Sequence, residues 1–332
     1  MSAPPPEGSG TSAGPPDEGA SEPGSGSEPA SGWGSEPTSE PAEIVAPPGL
    51  PPGQRLRLEG RGHTYYRRLE GPPGAPTVLL LHGWTANSAL NWFPSYRDLA
   101  RHFDVVAIDH RGHGRGIRSR RRFRLEDCAD DAVALADALG IDRFVPVGYS
   151  MGGPVAQLIW RRHPERVQGL VLCSTARNFV GQRPGERAAA PMLGLASLVA
   201  RATPVRWQRS LGHRLLAGRY DQTDLGRWAL SEVQLNNPRM IVEAGQAIAT
   251  FSSRDWIGGV DVPTAVLVTE FDSVVPPRRQ HALAAAIPGA VTHPVRGDHG
   301  VCAMDPDAFV PVLVQACAEV IEKAQVRERR AG

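Results

Sequence analysis

The sequence contains little lysine, few cysteines and almost no net charge. Lys323 is the single lysine, so arginine supplies nearly all of the positive charge, and the formal net charge is only +1. Because proteins that coat nucleic acid carry a strong basic excess, we predict no nucleic-acid partner. The cysteines form neither a CxxC pair nor a Cys/His metal spacing, so we predict reduced thiols and no metal site. They are Cys128, Cys173, Cys302 and Cys317.

Signals for secretion or membrane insertion are also missing. The N-terminus has neither the basic nor the apolar segment of a signal peptide. No apolar run approaches the ~20 residues that a membrane-spanning helix needs. We therefore predict a cytoplasmic protein with no transmembrane segment.

The first 53 residues have almost no large apolar side chains. Residues 1–53 consist mostly of Pro, Gly, Ser and Glu, and the first basic residue is Arg55. Such a segment buries too little apolar surface to offset the entropy lost on ordering, so we predict a disordered tail over 1–53. Its one aromatic residue, Trp33, leaves a docking role open.

After the tail, strand and helix patterns alternate. Residues 55–60 and 63–71 resemble an antiparallel hairpin. Apolar runs predict strands at 77–83, 105–110, 144–150, 169–175, 264–270 and 291–297. Apolar residues at helical spacing predict helices at 125–140, 152–167, 276–289 and 303–325. This alternation is typical of an α/β fold with a mostly parallel sheet that helices cover on both sides.

Residues 176–256 interrupt the alternation. They carry apolar residues at helical spacing, such as Leu195, Leu198, Val199 and Ala202, but no clear strand. We predict an insertion of several short helices that lies over the carboxyl edge of the sheet.

One serine stands among glycines between a predicted strand and a predicted helix. In FVPVGYSMGG, Ser150 lies between Gly148 and Gly152. A serine on a sharp strand-to-helix turn is forced outward, and small neighbours let the strand and the helix approach each other. The N-terminus of that helix also directs its positive dipole end at the site. The pattern predicts that Ser150 is a nucleophile.

A serine nucleophile needs a base and an acid that orients the base. Of the ten histidines, His299 follows the last predicted strand, so its loop returns to the sheet edge at which Ser150 emerges. Asp272 lies in the loop after strand 264–270, and we predict that it orients His299. Glu270 competes for that role from the strand end, whereas Asp298 would have to fold back on its neighbour.

The negative charge that forms on an attacked carbonyl needs two backbone N–H groups aimed at one point. We predict that one belongs to Met151, directly after the serine. The other is expected from Trp84, since Gly83 lets the backbone of this turn pass close to the site. A plain tight turn at residues 82–84 is the alternative.

Several motifs in order resemble the α/β-hydrolase superfamily, of the type seen in small bacterial esterases, lactonases and cofactor-free perhydrolases. They are HGW at 82–84, DHRGHGRG at 109–116, GYSMGG at 148–153, FDSVVP at 271–276 and GDHG at 297–300. The resemblance covers roughly residues 55–325 and implies a sheet of about eight strands with a helical cap after the sixth. The domain assignment is then a tail over 1–53, a core over 54–175 and 257–326, and a cap over 176–256. In this superfamily the histidine often follows a glycine, whereas here Asp298 precedes it and either tunes His299 or caps the turn.

These residues predict a serine hydrolase that cleaves a carboxylic ester, thioester or lactone and needs no cofactor. An acyltransferase or perhydrolase could use the same residues, and a non-catalytic receptor or scaffold could use the same fold. The predicted partner is a small molecule, and the sequence leaves the oligomeric state open. The stretch from Arg177 to Tyr220 has eight arginines, one acid and many apolar residues. It suits a lipophilic or anionic substrate, although solvated arginines on packed helices give the same pattern.

Overall fold

An eight-stranded sheet forms the centre of the computed structural model, which describes residues 46–179 and 223–331. Its order is β1-β2-β4-β3-β5-β6-β7-β8. β2 pairs antiparallel with both β1 and β4, and all other neighbours pair parallel. The strands are β1 (Gly53–Leu58), β2 (Gly62–Leu69), β3 (Thr77–Leu81), β4 (Asp104–Ile108), β5 (Val145–Tyr149), β6 (Leu170–Cys173), β7 (Thr264–Thr269) and β8 (Val291–Val295). The predicted hairpin and the mostly parallel sheet are confirmed.

Helices cover both faces of the sheet, because the central strands bury side chains on both sides. In β3, Leu79 and Leu81 belong to one apolar cluster, while Val78 and Leu80 belong to the cluster on the opposite face. This is the period of two that a strand imposes. The helices are α1 (Ser88–Trp92), α2 (Tyr96–Ala100), α3 (Leu125–Ala138), α4 (Gly152–Arg162), α5 (Asp224–Gln234), α6 (Pro238–Thr250), α7 (Pro277–Ala284), α8 (Val301–Met304) and α9 (Pro306–Ala331), with short 3₁₀ turns at Pro164–Arg166 and Ile257–Gly259.

Helix ends differ from the prediction where a proline follows. The helix predicted over 303–325 is interrupted at Asp305, whose φ of −140° and ψ of 68° separate α8 from α9. Asp305 precedes Pro306, and a residue before proline is disfavoured in the helical region. For the same reason, the helix predicted over 152–167 ends at Arg162, just before His163 and Pro164. The helix predicted over 276–289 is also shorter, ending at Ala284.

Part of the predicted tail and part of the predicted insertion lie outside the described residues. Residues 223–256 are described and include the helices α5 and α6, whereas the predicted cap as a whole stays a prediction. At the other boundary, Pro51 is buried and its carbonyl accepts a hydrogen bond from Arg67 in β2. Contacts with the sheet thus begin a few residues before position 54, where the core was predicted to start.

All four cysteines are free and buried, as expected of reduced thiols that pack as small apolar groups. No helix in the described ranges is both long and apolar enough to cross a membrane.

A buried ion pair joins the loop after β4 to α3. Arg111 donates from Nε and Nη2 to the two carboxylate oxygens of Asp131 at 2.7 Å each. Arg61 in the β1–β2 turn contacts the same carboxylate at 2.6 Å. The Asp131 side chain is only 2% exposed, so its charge depends on these partners for stabilisation. This loop is therefore held against the helix that covers one face of the sheet.

Replacement of Asp131 by asparagine should lower the free energy of unfolding by about 3 kcal/mol, because the buried Arg111 loses its buried anion and keeps only the more exposed Asp127 at 3.1 Å. Asp137 on the same helix is the matched control: its side chain is 58% exposed and pairs with Arg166 at the surface. Asp137→Asn should cost less than about 0.5 kcal/mol. Urea denaturation measures both, and equal losses would contradict the assignment of stability to the buried pair.

Candidate active site

Ser150 lies on the turn between β5 and α4 in a strained backbone conformation. Its φ is +51°, a region that non-glycine residues rarely adopt. Two hydrogen bonds hold the turn: the Ser150 N–H donates to the Cys173 carbonyl at 2.9 Å, and the Thr175 hydroxyl donates to the Ser150 carbonyl at 2.7 Å. The carboxyl end of β6 thus fixes the orientation of the serine.

Glycines around Ser150 allow main-chain segments to touch. A Cβ atom at Gly148 would collide with the carbonyl of Gly152, and a Cβ atom at Gly152 would collide with the carbonyl of Leu81. A Cβ atom at Gly153 would collide with the side chain of Thr175. The close approach of strand and helix that the GxSxG pattern predicts is therefore present at this turn.

The structure brings Ser150, His299 and Asp272 into one hydrogen-bonded series. His299 Nε2 lies 2.9 Å from Ser150 Oγ, and His299 Nδ1 lies 2.7 Å from Asp272 Oδ2. The three residues follow β5, β8 and β7, whose parallel pairing through β6 places their carboxyl ends at one edge of the sheet. The Asp272 side chain is fully buried, whereas that of His299 is 21% exposed.

The carboxylate of Asp272 is held on both oxygens. Oδ1 accepts from the N–H groups of Val274 and Val275 at 2.9 and 2.7 Å, and Oδ2 accepts from the Thr269 hydroxyl at 2.8 Å. Burial alone would raise the pKa of Asp272, but the hydrogen bonds and the charge of His299 outweigh it and lower that pKa. The group facing His299 Nδ1 is therefore a carboxylate at neutral pH.

The competing acids have other positions. Glu270 is exposed, and its backbone N–H continues the pairing of β7 with the Val295 carbonyl. Asp298 is also exposed, and its Oδ1 accepts from the Gly300 N–H at 2.7 Å. Of the two roles that the sequence left open for Asp298, the contacts favour closing the turn that carries His299.

The turn after β3 runs beside the serine. A Cβ atom on Gly83 would lie 3.4 Å from Ser150 Cβ, and the Gly83 N–H donates to Asn91 Oδ1 at 2.8 Å. Within the described residues, the backbone N–H groups of Trp84 and Met151 have no hydrogen-bond acceptor. The oxyanion role of these two N–H groups stays a prediction.

Side chains from the segment after residue 223 support this turn, and no sequence pattern predicted them. Asn236 donates to the carbonyl of Thr85 at 2.6 Å and accepts from the Gly114 N–H at 2.7 Å. Thr85 has a φ of +65°. Glu232 on α5 accepts from Asn87 at 2.6 Å. No local pattern marks these residues, since their partners lie more than a hundred positions away.

Three buried histidines, His82, His110 and His113, lie behind the same turn. The ring centroids of His110 and His113 lie 4.3 and 5.3 Å from that of His82. Burial lowers the pKa of His82 to about 4 and that of His113 to about 3, so the rings are neutral at pH 7. Across the described ranges, no group of three or more His, Cys, Asp or Glu side chains is placed to hold a metal ion.

We expect Gly148→Ala to lower the free energy of unfolding by about 2 kcal/mol or more, because strand and helix must separate to admit the methyl group. Gly258→Ala is the matched control, since the nearest atom to its Cβ, the Ala286 carbonyl oxygen, is 3.6 Å away. Thermal denaturation should place this control within about 1 kcal/mol of the parent. Tolerance of alanine at position 148 would contradict the described close approach.

The depressed histidine pKa values make stability depend on pH. The folded rings stay neutral below pH 6.5 while the unfolded chain binds protons, so stability is lost as pH falls from 6.5 toward 4. Between pH 7 and pH 5 each ring should cost about 2 kcal/mol of unfolding free energy.

The variant His113→Gln isolates one ring and keeps a donor for the Arg111 carbonyl, which His113 Nδ1 contacts at 3.1 Å. Its unfolding free energy should fall less than that of the parent over this range, by about 2 kcal/mol. Burial raises the pKa of Asp109, which acts in the opposite direction, but that contribution cancels in the comparison. Identical pH dependence in urea denaturation would refute the neutral buried ring.

Comparisons with known proteins identify the fold family of the chain. RutD of Agrobacterium fabrum, named as a candidate carbamate hydrolase, is 28% identical over 259 residues, which cover 73% of this chain and 92% of RutD. The enol-lactonase from Burkholderia xenovorans LB400 superposes with a TM-score of 0.66 at 23% identity, over 80% of this chain and 100% of that one. A thermophilic esterase from Thermogutta terrifontis superposes with a TM-score of 0.64 at 24% identity, over 82% of this chain and 99% of the esterase. The family model for the alpha/beta hydrolase fold matches residues 76–305, and the chain belongs to this family.

Proposed function

We propose that this α/β-hydrolase is a serine hydrolase that cleaves a carboxylic ester, thioester or lactone through an acyl-enzyme on Ser150. The observation that carries the proposal is the continuous series of hydrogen bonds from Ser150 Oγ through His299 to Asp272, at 2.9 and 2.7 Å. A serine hydroxyl is a poor nucleophile at neutral pH, and this arrangement supplies both the base and the group that orients it.

In the first half of the reaction, Ser150 Oγ attacks the substrate carbonyl and its proton passes to His299 Nε2. Asp272 accepts the Nδ1 proton of His299, which keeps Nε2 free as the base and stabilises the imidazolium that forms. The oxyanion lies between the N–H groups of Trp84 and Met151. As the tetrahedral intermediate collapses, His299 returns the proton to the leaving alcohol or thiol.

In the second half, water takes the place of the leaving group. His299 Nε2 removes a proton from the water, and the hydroxide attacks the acyl carbonyl on Ser150. The same N–H groups stabilise the second oxyanion. Collapse releases the carboxylic acid and returns the proton to Ser150 Oγ, so no cofactor enters the cycle.

Apolar side chains near the site support a substrate with a lipophilic part. Phe271 and Val274 flank Asp272 and are 61% and 65% exposed, and Trp84 is 40% exposed. Apolar groups that remain exposed beside a reactive serine offer contact area to an acyl or alcohol chain. The arginine-rich stretch from which an anionic substrate was inferred lies mostly outside the described residues. The enol-lactonase and the esterase support a small ester or lactone.

Ser150→Ala should reduce the hydrolysis of p-nitrophenyl esters by about 1,000-fold or more, since no nucleophile remains. Ser95→Ala is the matched control: Ser95 is also buried, its Oγ has no partner among the described atoms, and it lies at the start of α2. It should retain full activity. The assay should include short and long acyl esters, a lactone and a carbamate, because these chemistries share the attacked carbonyl.

Covalent labelling by a fluorophosphonate probe separates the proposal from its alternatives. The parent chain should be labelled on Ser150 and the Ser150→Ala variant should not. Labelling of both chains, or equal ester turnover by both, would place the chemistry elsewhere. An unlabelled parent would favour a binding protein built on a hydrolase fold.

A further inference from the structure

Gln280 brings a buried amide to the carboxylate that faces His299. It lies on α7, and its side chain is completely buried. Its Nε2 lies 2.8 Å from Thr269 Oγ1, 3.2 Å from Asp272 Oδ2 and 2.7 Å from the Val275 carbonyl. A buried amide costs free energy unless its donors and acceptor are hydrogen-bonded, so these contacts keep the Gln280 amide in place.

Two backbone groups of opposite polarity determine which way the amide points. Gln280 Oε1 accepts from the Thr269 N–H at 3.0 Å, and Nε2 donates to the Val275 carbonyl. In a flipped amide, Oε1 would face the Val275 carbonyl and Nε2 would face the Thr269 N–H, and neither pair could form a hydrogen bond. Consequently the second Nε2 proton is directed at Thr269 Oγ1, with Asp272 Oδ2 as the more distant acceptor.

This arrangement leaves the Thr269 hydroxyl one direction for its single proton. A lone pair on Oγ1 already accepts from Gln280, and Ser174 Oγ is a longer neighbour at 3.3 Å. The charged Asp272 Oδ2 at 2.8 Å is the stronger acceptor. Oδ2 therefore accepts from Thr269 and from His299 Nδ1 in a fixed geometry.

We propose that Gln280 is a positioning residue for the reaction, acting through the Thr269 hydroxyl to hold Asp272 Oδ2 in line with His299 Nδ1. The inference rests on the proposed function of Ser150 and extends it by a group that contacts neither substrate nor serine. Hydrogen bonds from Val274 and Val275 fix Oδ1 alone, so they leave the carboxylate able to rotate about that oxygen. The Gln280–Thr269 pair removes this freedom.

The test is a double-mutant cycle. Gln280→Met removes the amide at similar volume, Thr269→Val removes the hydroxyl at similar shape, and Thr269→Ser restores the hydroxyl. Each of the first two should lower kcat and the rate of fluorophosphonate labelling roughly tenfold and leave KM within about twofold. Thr269→Val removes the hydrogen bond to the Asp272 carboxylate, and Gln280→Met removes the group that orients it. Thr269→Ser should stay within about twofold of the parent.

The effects of Gln280→Met and Thr269→Val on kcat should be strongly non-additive. If Gln280 acts through the hydroxyl, Gln280→Met should lower kcat by less than about twofold in a chain that already carries Thr269→Val. If the two substitutions together lower kcat by the product of their separate factors, Gln280 does not act through the Thr269 hydroxyl. If Gln280→Met does not fold, Gln280→Asn replaces it in the cycle, because asparagine is one methylene shorter and moves the amide away from Thr269.

Gln157→Met controls for the loss of a buried amide. Gln157 on α4 is equally buried, donates to the Ala176 carbonyl at 3.3 Å and accepts from the Ser253 hydroxyl at 2.6 Å. This control should lose stability in urea denaturation yet keep kcat. A tenfold loss of kcat in both glutamine variants would assign the effect to stability and contradict positioning.

A spectroscopic readout separates this inference from the proposed function. The Nδ1 proton of His299, hydrogen-bonded to a carboxylate, should give a low-field proton resonance in the parent, in Gln157→Met and in Ser150→Ala. Gln280→Met and Thr269→Val should shift or broaden it. An unchanged resonance and kcat in Gln280→Met, with labelling still dependent on Ser150, would overturn the role of Gln280 alone. Labelling that persists in Ser150→Ala would overturn the proposed function and this inference together.

Discussion

The contact between β5 and α4 is the constraint on which the site depends. At the turn, the strand and the helix approach through main-chain atoms, because neither Gly148 nor Gly152 carries a side chain. This proximity forces Ser150 into its positive φ and aims its hydroxyl out of the turn. The flanking strands contribute as well, since β6 holds both the N–H and, through Thr175, the carbonyl of the serine.

The parallel order of the sheet then places the remaining groups. β5, β6, β7 and β8 are successive neighbours, so the loops that leave their carboxyl ends share one edge. Asp272 and His299 reach Ser150 from two of these loops without any long excursion of the chain. The His299 loop is short and is closed by Asp298, and the Tyr149 hydroxyl donates to the His299 carbonyl at 2.9 Å. The sheet thus positions the loops that carry Asp272 and His299.

The sequence was informative where the pattern is local and less so where it depends on docking. Apolar runs predicted the sheet, and GYSMGG predicted the turn at Ser150, because strand burial and close glycine contacts require particular residues at neighbouring positions. The short helices α1 and α2 were not predicted, since five residues give no period to recognise. The buried amides of Gln280 and Asn236 were missed because their partners become neighbours only after α5 and α7 pack. The catalytic roles of Ser150, Asp272 and His299 stay predictions whose geometry is favourable.

The contacts between the α5 segment and the turn after β3 affect the design of chimeras between related hydrolases. Asn236 and Glu232 belong to the predicted insertion, and they form hydrogen bonds with polar groups of the core at Thr85, Gly114 and Asn87. A chimera that received a foreign insertion would expose those groups or bury them unpaired. Exchange of substrate preference between relatives would therefore require moving the loops beneath the helices along with the helices themselves.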